Sequence, residues 1–127
     1  MMATIAAIII LVILFLLSVF QFALILGAPI GRFAWGGQHD VLPTRLRIGS
    51  AASVLIYLFM AVLVASKVGT IEGIIGVNFM AVTLWAVTSY LAIGIVMNAI
   101  SRSKPERYVM TPTLIMLVTC FAILATA

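Results

Sequence analysis

Charge is what this chain has least of. Asp, Glu, Lys and Arg make up 8% of its 127 residues, against roughly a quarter in a soluble domain. It carries one Asp, one His and one Cys. A lone thiol forms neither an internal disulfide nor a CxxC pair, which excludes the four-helix quinone-linked thiol oxidases. Cys120 lies within an apolar run and reads as a small hydrophobic residue. A lone imidazole is too few for a metal site, and a haem on His39 would need a distant Met as its second axial ligand. No cofactor or metal is implied. No Asp, Glu, Lys, Arg or His falls in the middle of an apolar run, which argues against a proton-coupled pump. Small four-helix multidrug transporters rely on a buried carboxylate in their first helix. Here the first run has no carboxylate, and the polar side chains deep within it are Ser18 and Gln21.

What the chain does contain is hydrocarbon. It is 65% hydrophobic, with a mean hydropathy of +1.36, which places it in the membrane class. The length holds one domain, 1–127, too short for the large transporter folds built inside one chain. Four apolar runs are long enough to cross a bilayer as helices, at about 3–26, 44–66, 74–97 and 104–126. The first has no basic n-region and exceeds a signal core in length, so it is expected to stay in the mature protein. Pro43 suits the first turn of the second helix. The short loop bracketed by Lys67 and Glu72 predicts that the second and third helices pair as an antiparallel hairpin. Ser103-Lys104-Pro105-Glu106 has capping-box spacing, which starts the fourth helix early and leaves Pro112 inside it. The expected fold is all-α, an antiparallel four-helix transmembrane bundle with an interfacial, Gly-rich first loop.

The formal net charge of +4 would point to nucleic acid in a soluble protein. In a membrane chain it reports topology instead. The first loop carries Arg32, Arg45 and Arg47, the third carries Arg102, Lys104 and Arg107, and the opposite side holds only Lys67. The positive-inside rule therefore predicts cytoplasmic first and third loops and both termini outside. These six residues, with Trp35, are candidates for binding anionic lipid phosphate, at about 1 kcal/mol each. In a specific form, Arg32 and Arg102 would clamp one phosphate beneath Trp35 and His39.

Polar residues inside the spans recur at helical spacing. Asn78, Trp85 and Ser89 fall within about 40° on the third helix, and Ser50, Ser53, Tyr57 and Ala61 form a stripe on the second. Both faces are expected to point inward, so that Gln21, Tyr57, Asn78, Trp85 and Ser89 bond between helices or line a narrow pocket for a lipid or small amphiphile. The stretch from Gly27 to Pro43 is too apolar for a solvated loop and too rich in Gly and Pro for a helix, so it should pack against helix ends. Within it, His39 and Asp40 are adjacent and form the candidate acid–base pair. The simpler reading has Asp40 capping the second helix or pairing with an Arg.

At two segments, GAPIGRFAWGGQHDVLPTRLRIGS and NAISRSKPERYVMTP, the chain resembles a group of small, uncharacterised bacterial integral membrane proteins with four predicted helices. The resemblance covers the whole chain and implies a bacterial inner (plasma) membrane location but no activity. The leading expectation is a non-enzymatic membrane protein whose basic cytoplasmic face contacts anionic lipid or a partner protein. The alternatives are a small enzyme acting on a lipid headgroup through His39 and Asp40, and an oligomeric carrier of small molecules. A homo-oligomer fits the small size, and nucleic acid is not expected as a partner.

Overall fold

In hydrocarbon a backbone N–H or C=O finds no water, so each apolar run closes its hydrogen bonds upon itself. The computed structural model describes residues 1–70 and 76–127, the Val77 side chain apart. The four helices are α1 (Met2–Ile25), α2 (Thr44–Lys67), α3 (Val77–Ala99) and α4 (Lys104–Thr126). Each is long and apolar enough to cross a membrane. Together they form an antiparallel, multi-pass helical bundle. Glu72 and the expected start of the third span at Ile74 lie outside the described residues.

The helix ends follow from local chemistry. α1 stops at Gly27, whose φ of +94° only glycine adopts freely. There the Ala28 N–H donates to the Ala23 carbonyl at 2.9 Å and the Gly27 N–H to Leu24 at 3.1 Å, closing a Schellman cap. α2 ends the same way at Gly69, with Thr70 N–H on Ala65. The N-cap of α2 is Pro43, without a side-chain cap, so Asp40 does not fill the capping role that the sequence offered it. At the start of α4, Ser103 accepts the Glu106 N–H, and Pro105 occupies the first turn.

Packing is uneven around the bundle. α1 packs on α2 and on α4, and α4 packs most closely on α3, whereas α2 and α3 barely touch. The antiparallel neighbours expected in the second and third helices are thus the loosest seam of the bundle, although Met60 and Val64 of α2 share one core with Leu84 and Val87 of α3. Loop length fixes only that two helices run antiparallel, and side-chain fit decides whether they meet. α3 fits α4 because Gly94 leaves room for Leu114, whose Cδ1 would stand 3.3 Å from an added Cβ. Between α2 and α3 runs an apolar groove of about 290 Å³, bordered by Phe59, Met60, Val87 and Tyr90.

Most of the core lies towards the half of the bundle that holds both termini. Ile10, Leu63, Leu84, Leu117, Phe121 and Leu124 are completely enclosed there. A second, smaller cluster of Leu24, Ala34 and Leu42 sits at the opposite end, where Phe20 and Leu46 pack against it. That cluster is built partly from the first loop. The loop thus has a core of its own and closes one end of the bundle.

Candidate functional site

The first loop is held by backbone geometry that few substitutions would allow. It makes two short 3-10 turns, Gly31–Phe33 and Trp35–Gly37. The Gly31 N–H donates to the Asp40 carbonyl at 2.8 Å, and a Cβ on Gly31 would stand 2.0 Å from the His39 carbonyl oxygen. Trp35 lies in the left-handed region at φ 52°, which costs a non-glycine residue about 1–2 kcal/mol. Two contacts keep it there. The indole Nε1–H donates to Ser50 Oγ at 3.2 Å, and the ring edge lies against Gly49, within 2.8 Å of where a Cβ would be.

The third loop is tied to the first. Ser103 Oγ–H donates to the Arg32 carbonyl, and the same side chain fills the space that a Cβ on Gly37 would need. Ser103 therefore both caps α4 and joins the loops. Glu106 leaves the capping box for another partner, accepting from the Ser101 hydroxyl at 3.0 Å, while Ser101 Oγ accepts the Ser103 N–H at 3.2 Å. Arg107 completes the turn by donating to the Ser101 carbonyl at 3.2 Å. The two loops thus form one plate.

Under this plate lies a cavity of about 170 Å³ whose walls include Gln21, Phe33, Trp35, Tyr57, Asn98 and Glu106. Gln21 is 7% exposed and Glu106 8%. The Gln21 amide donates a long bond of 3.5 Å to Tyr57 Oη, and its Oε1 has no hydrogen-bond partner. Asn98 spends its amide on the Gly94 carbonyl at 2.8 Å, leaving Oδ1 to accept. A buried acceptor without a donor costs about 1–3 kcal/mol. The polar wall therefore offers Gln21 Oε1 and Asn98 Oδ1 as acceptors with the Tyr57 hydroxyl as one donor, and aromatic rings flank it.

The structure separates the sequence candidates into three sets. Arg32, Arg45, Arg102 and Lys104 are exposed on the plate. Arg47 and Arg107 are half-buried and serve the fold. Arg47 Nε–H donates to the Leu42 carbonyl at 2.8 Å, and its guanidinium lies beside Gly27, where it faces the negative end of the α1 dipole. Trp35 turns its indole N–H inward to Ser50, while the residue stays 42% exposed. His39 and Asp40 are exposed, outside the cavity walls, and it is the Asp40 carbonyl rather than its carboxylate that accepts the Gly31 N–H. Among the described residues no cluster of three or more His, Cys, Asp or Glu is placed to hold a metal.

The polar stripes divide. On α2, Ser50 is buried and Ser53, Tyr57 and Ala61 face inward as expected. On α3 the expectation fails. Asn78 and Ser89 are exposed and Trp85 is 47% exposed, on the side turned away from the other helices. The inward face of α3 is instead Met80, Leu84, Val87 and Leu91, which form the continuous apolar strip that α4 can bury. Spacing identifies a stripe but not which stripe wins the interface. Sequence reasoning missed Asn98 and Glu106 as cavity residues. The available signal was depth: Gln21, Asn98 and Glu106 all lie near the helix ends that the first loop covers.

No family model, curated protein or solved structure matches this chain.

Proposed function

We propose that this chain is a non-catalytic integral membrane protein of a bacterial inner membrane, with both termini outside and the joined first and third loops in the cytoplasm. On this reading the plate binds anionic lipid headgroups. The supporting observation is that Arg32 and Arg102 on the two loops, and Arg45 and Lys104 in the first turns of α2 and α4 that follow them, stand exposed at one end of the bundle, where a hydrogen bond joins the loops. Four positive charges on one rigid support attract an anionic leaflet together, without the entropy cost of ordering separate loops. The positive-inside rule supplies the orientation.

Binding by the purified protein in nanodiscs of phosphatidylcholine with graded phosphatidylglycerol tests this. Replacing each of the four residues singly by Ala should lower the preference for phosphatidylglycerol about fivefold per residue. Added salt should weaken it further. An unchanged preference in the fourfold variant would overturn the lipid reading. If a protein binds the same four residues while lipid preference is unchanged, the plate is a protein interface instead.

A further inference from the structure

The plate does not use the cavity beneath it, and the cavity does not stop at the polar wall. Leu17, Phe20, Met110 and Thr113 line both the cavity and a second, strongly apolar groove of about 390 Å³ on the outer seam of α1 and α4. Leu16, Val109, Pro112 and Met116 border that groove towards the surrounding lipid. A polar chamber at the membrane end thus runs into an apolar channel along two helices. That is the shape of an amphiphile with one head and one acyl chain along the groove.

The chamber's chemistry narrows the head. Its polar wall offers acceptors: Gln21 Oε1, Asn98 Oδ1 and the Glu106 carboxylate. Gln21 Oε1 is buried with no donor, which is an unfavourable arrangement unless a ligand or water completes it. Phe33, Trp35 and Tyr57 add aromatic rings to the same walls, and π-faces attract cations. A group with several N–H donors and a positive charge satisfies all of these at once, whereas a phosphate would meet acceptors and a carboxylate.

We infer that the cavity and the α1–α4 groove together bind an amine-bearing phospholipid, with its primary ammonium at Gln21, Asn98 and Glu106 and one acyl chain along the groove. This site is separate from the anionic-lipid contacts of the plate. Either can fail without the other, because the variants that test them do not overlap.

The test is native mass spectrometry of the full chain, released from mild detergent after equilibration with equal amounts of dioleoyl phosphatidylethanolamine and dioleoyl phosphatidylcholine. The two lipids share phosphate and chains and differ in N–H donors. Retention should favour the ethanolamine lipid by about tenfold, the difference expected from charge-assisted hydrogen bonds. Gln21→Leu and Glu106→Gln should each reduce that ratio several-fold, and Trp85→Phe, on the outer face of α3, should leave it unchanged. Gln21→Leu removes a buried, unpaired acceptor together with one long bond to Tyr57, so its melting temperature should stay close to that of the wild type. It therefore carries the test even if Glu106→Gln proves unstable. Equal retention of the two lipids, or a ratio unmoved in a folded Gln21→Leu protein, would overturn the inference. If glycerophosphoethanolamine, which has no chains, displaces the lipid at equal concentration, the groove contributes nothing and the ligand is a soluble amine instead.

Discussion

Gly31→Ala isolates the backbone geometry that seats the first loop. A Cβ at this position would lie 2.0 Å from His39 O, 2.8 Å from Asp40 O and 3.0 Å from the His39 carbonyl carbon. All three neighbours are backbone, so none can swing away. Reaching a tolerable contact requires the 31 and 39–40 segments to separate by about 1 Å, which breaks the 2.8 Å bond between Gly31 N and Asp40 O. Losing the bond costs about 1 kcal/mol, and the overpacking adds about 1–3 kcal/mol. The loop should lose about 2–4 kcal/mol against local opening. Gly36→Ala is the control. No atom lies within 4 Å of its added Cβ, and its φ of +77° leaves only the left-handed penalty, of about 1–2 kcal/mol. Trypsin cleavage after Arg32 and Arg45, in mild detergent, reads the opening directly. When cleavage follows the open population, 2–4 kcal/mol corresponds to an increase of roughly thirty- to eight-hundredfold. Helicity should persist, because the main core lies at the other end of the bundle. If Gly31→Ala is cleaved no faster than Gly36→Ala, the loop is not seated as described.

Two further outcomes follow from the same geometry. Trp35→Phe should cost about 1 kcal/mol in thermal unfolding through loss of the Nε1–H bond to the fully buried Ser50. In a double-mutant cycle with Ser50→Ala the two effects should not add, and strict additivity would show that the bond carries no energy. His39→Ala and Asp40→Asn, both exposed, should each change stability by less than about 0.5 kcal/mol. They should also leave lipid retention unchanged in native mass spectra. A lipid conversion measured in the wild type and lost in either folded variant would restore the enzyme reading.

The cavity is the part of the protein least visible along the chain. Ser103-x-x-Glu106 is an unmistakable helix start, yet the pattern assigns the carboxylate to a local cap. In the structure Glu106 bonds Ser101 and lines the chamber, because the loop before α4 folds back far enough to offer a hydroxyl. Gln21 was visible as one of few polar side chains in α1, and Tyr57 as part of an inward stripe. Their meeting, at 3.5 Å, depends on α1 packing against α2. Trp35 was legible as an interfacial aromatic but not as a residue bonded inward, since that needs Gly49 and Ser50 to face it from another helix.

The sequence alone determined the solvent and the number of crossings. Apolar runs of this length have one low-energy conformation in a bilayer, and that conformation depends on nearest neighbours along the chain. The helix stops at Gly27 and Gly69 and the start at Ser103 are local for the same reason. Tertiary structure alone decided that α2 and α3 pack only loosely, that Asn78, Trp85 and Ser89 face outward, and that Gln21, Asn98 and Glu106 share one chamber. Those outcomes depend on which surfaces fit when several apolar faces compete. In a membrane every such face is already in an apolar solvent, so small differences in packing, such as the space at Gly94 for Leu114, determine the arrangement.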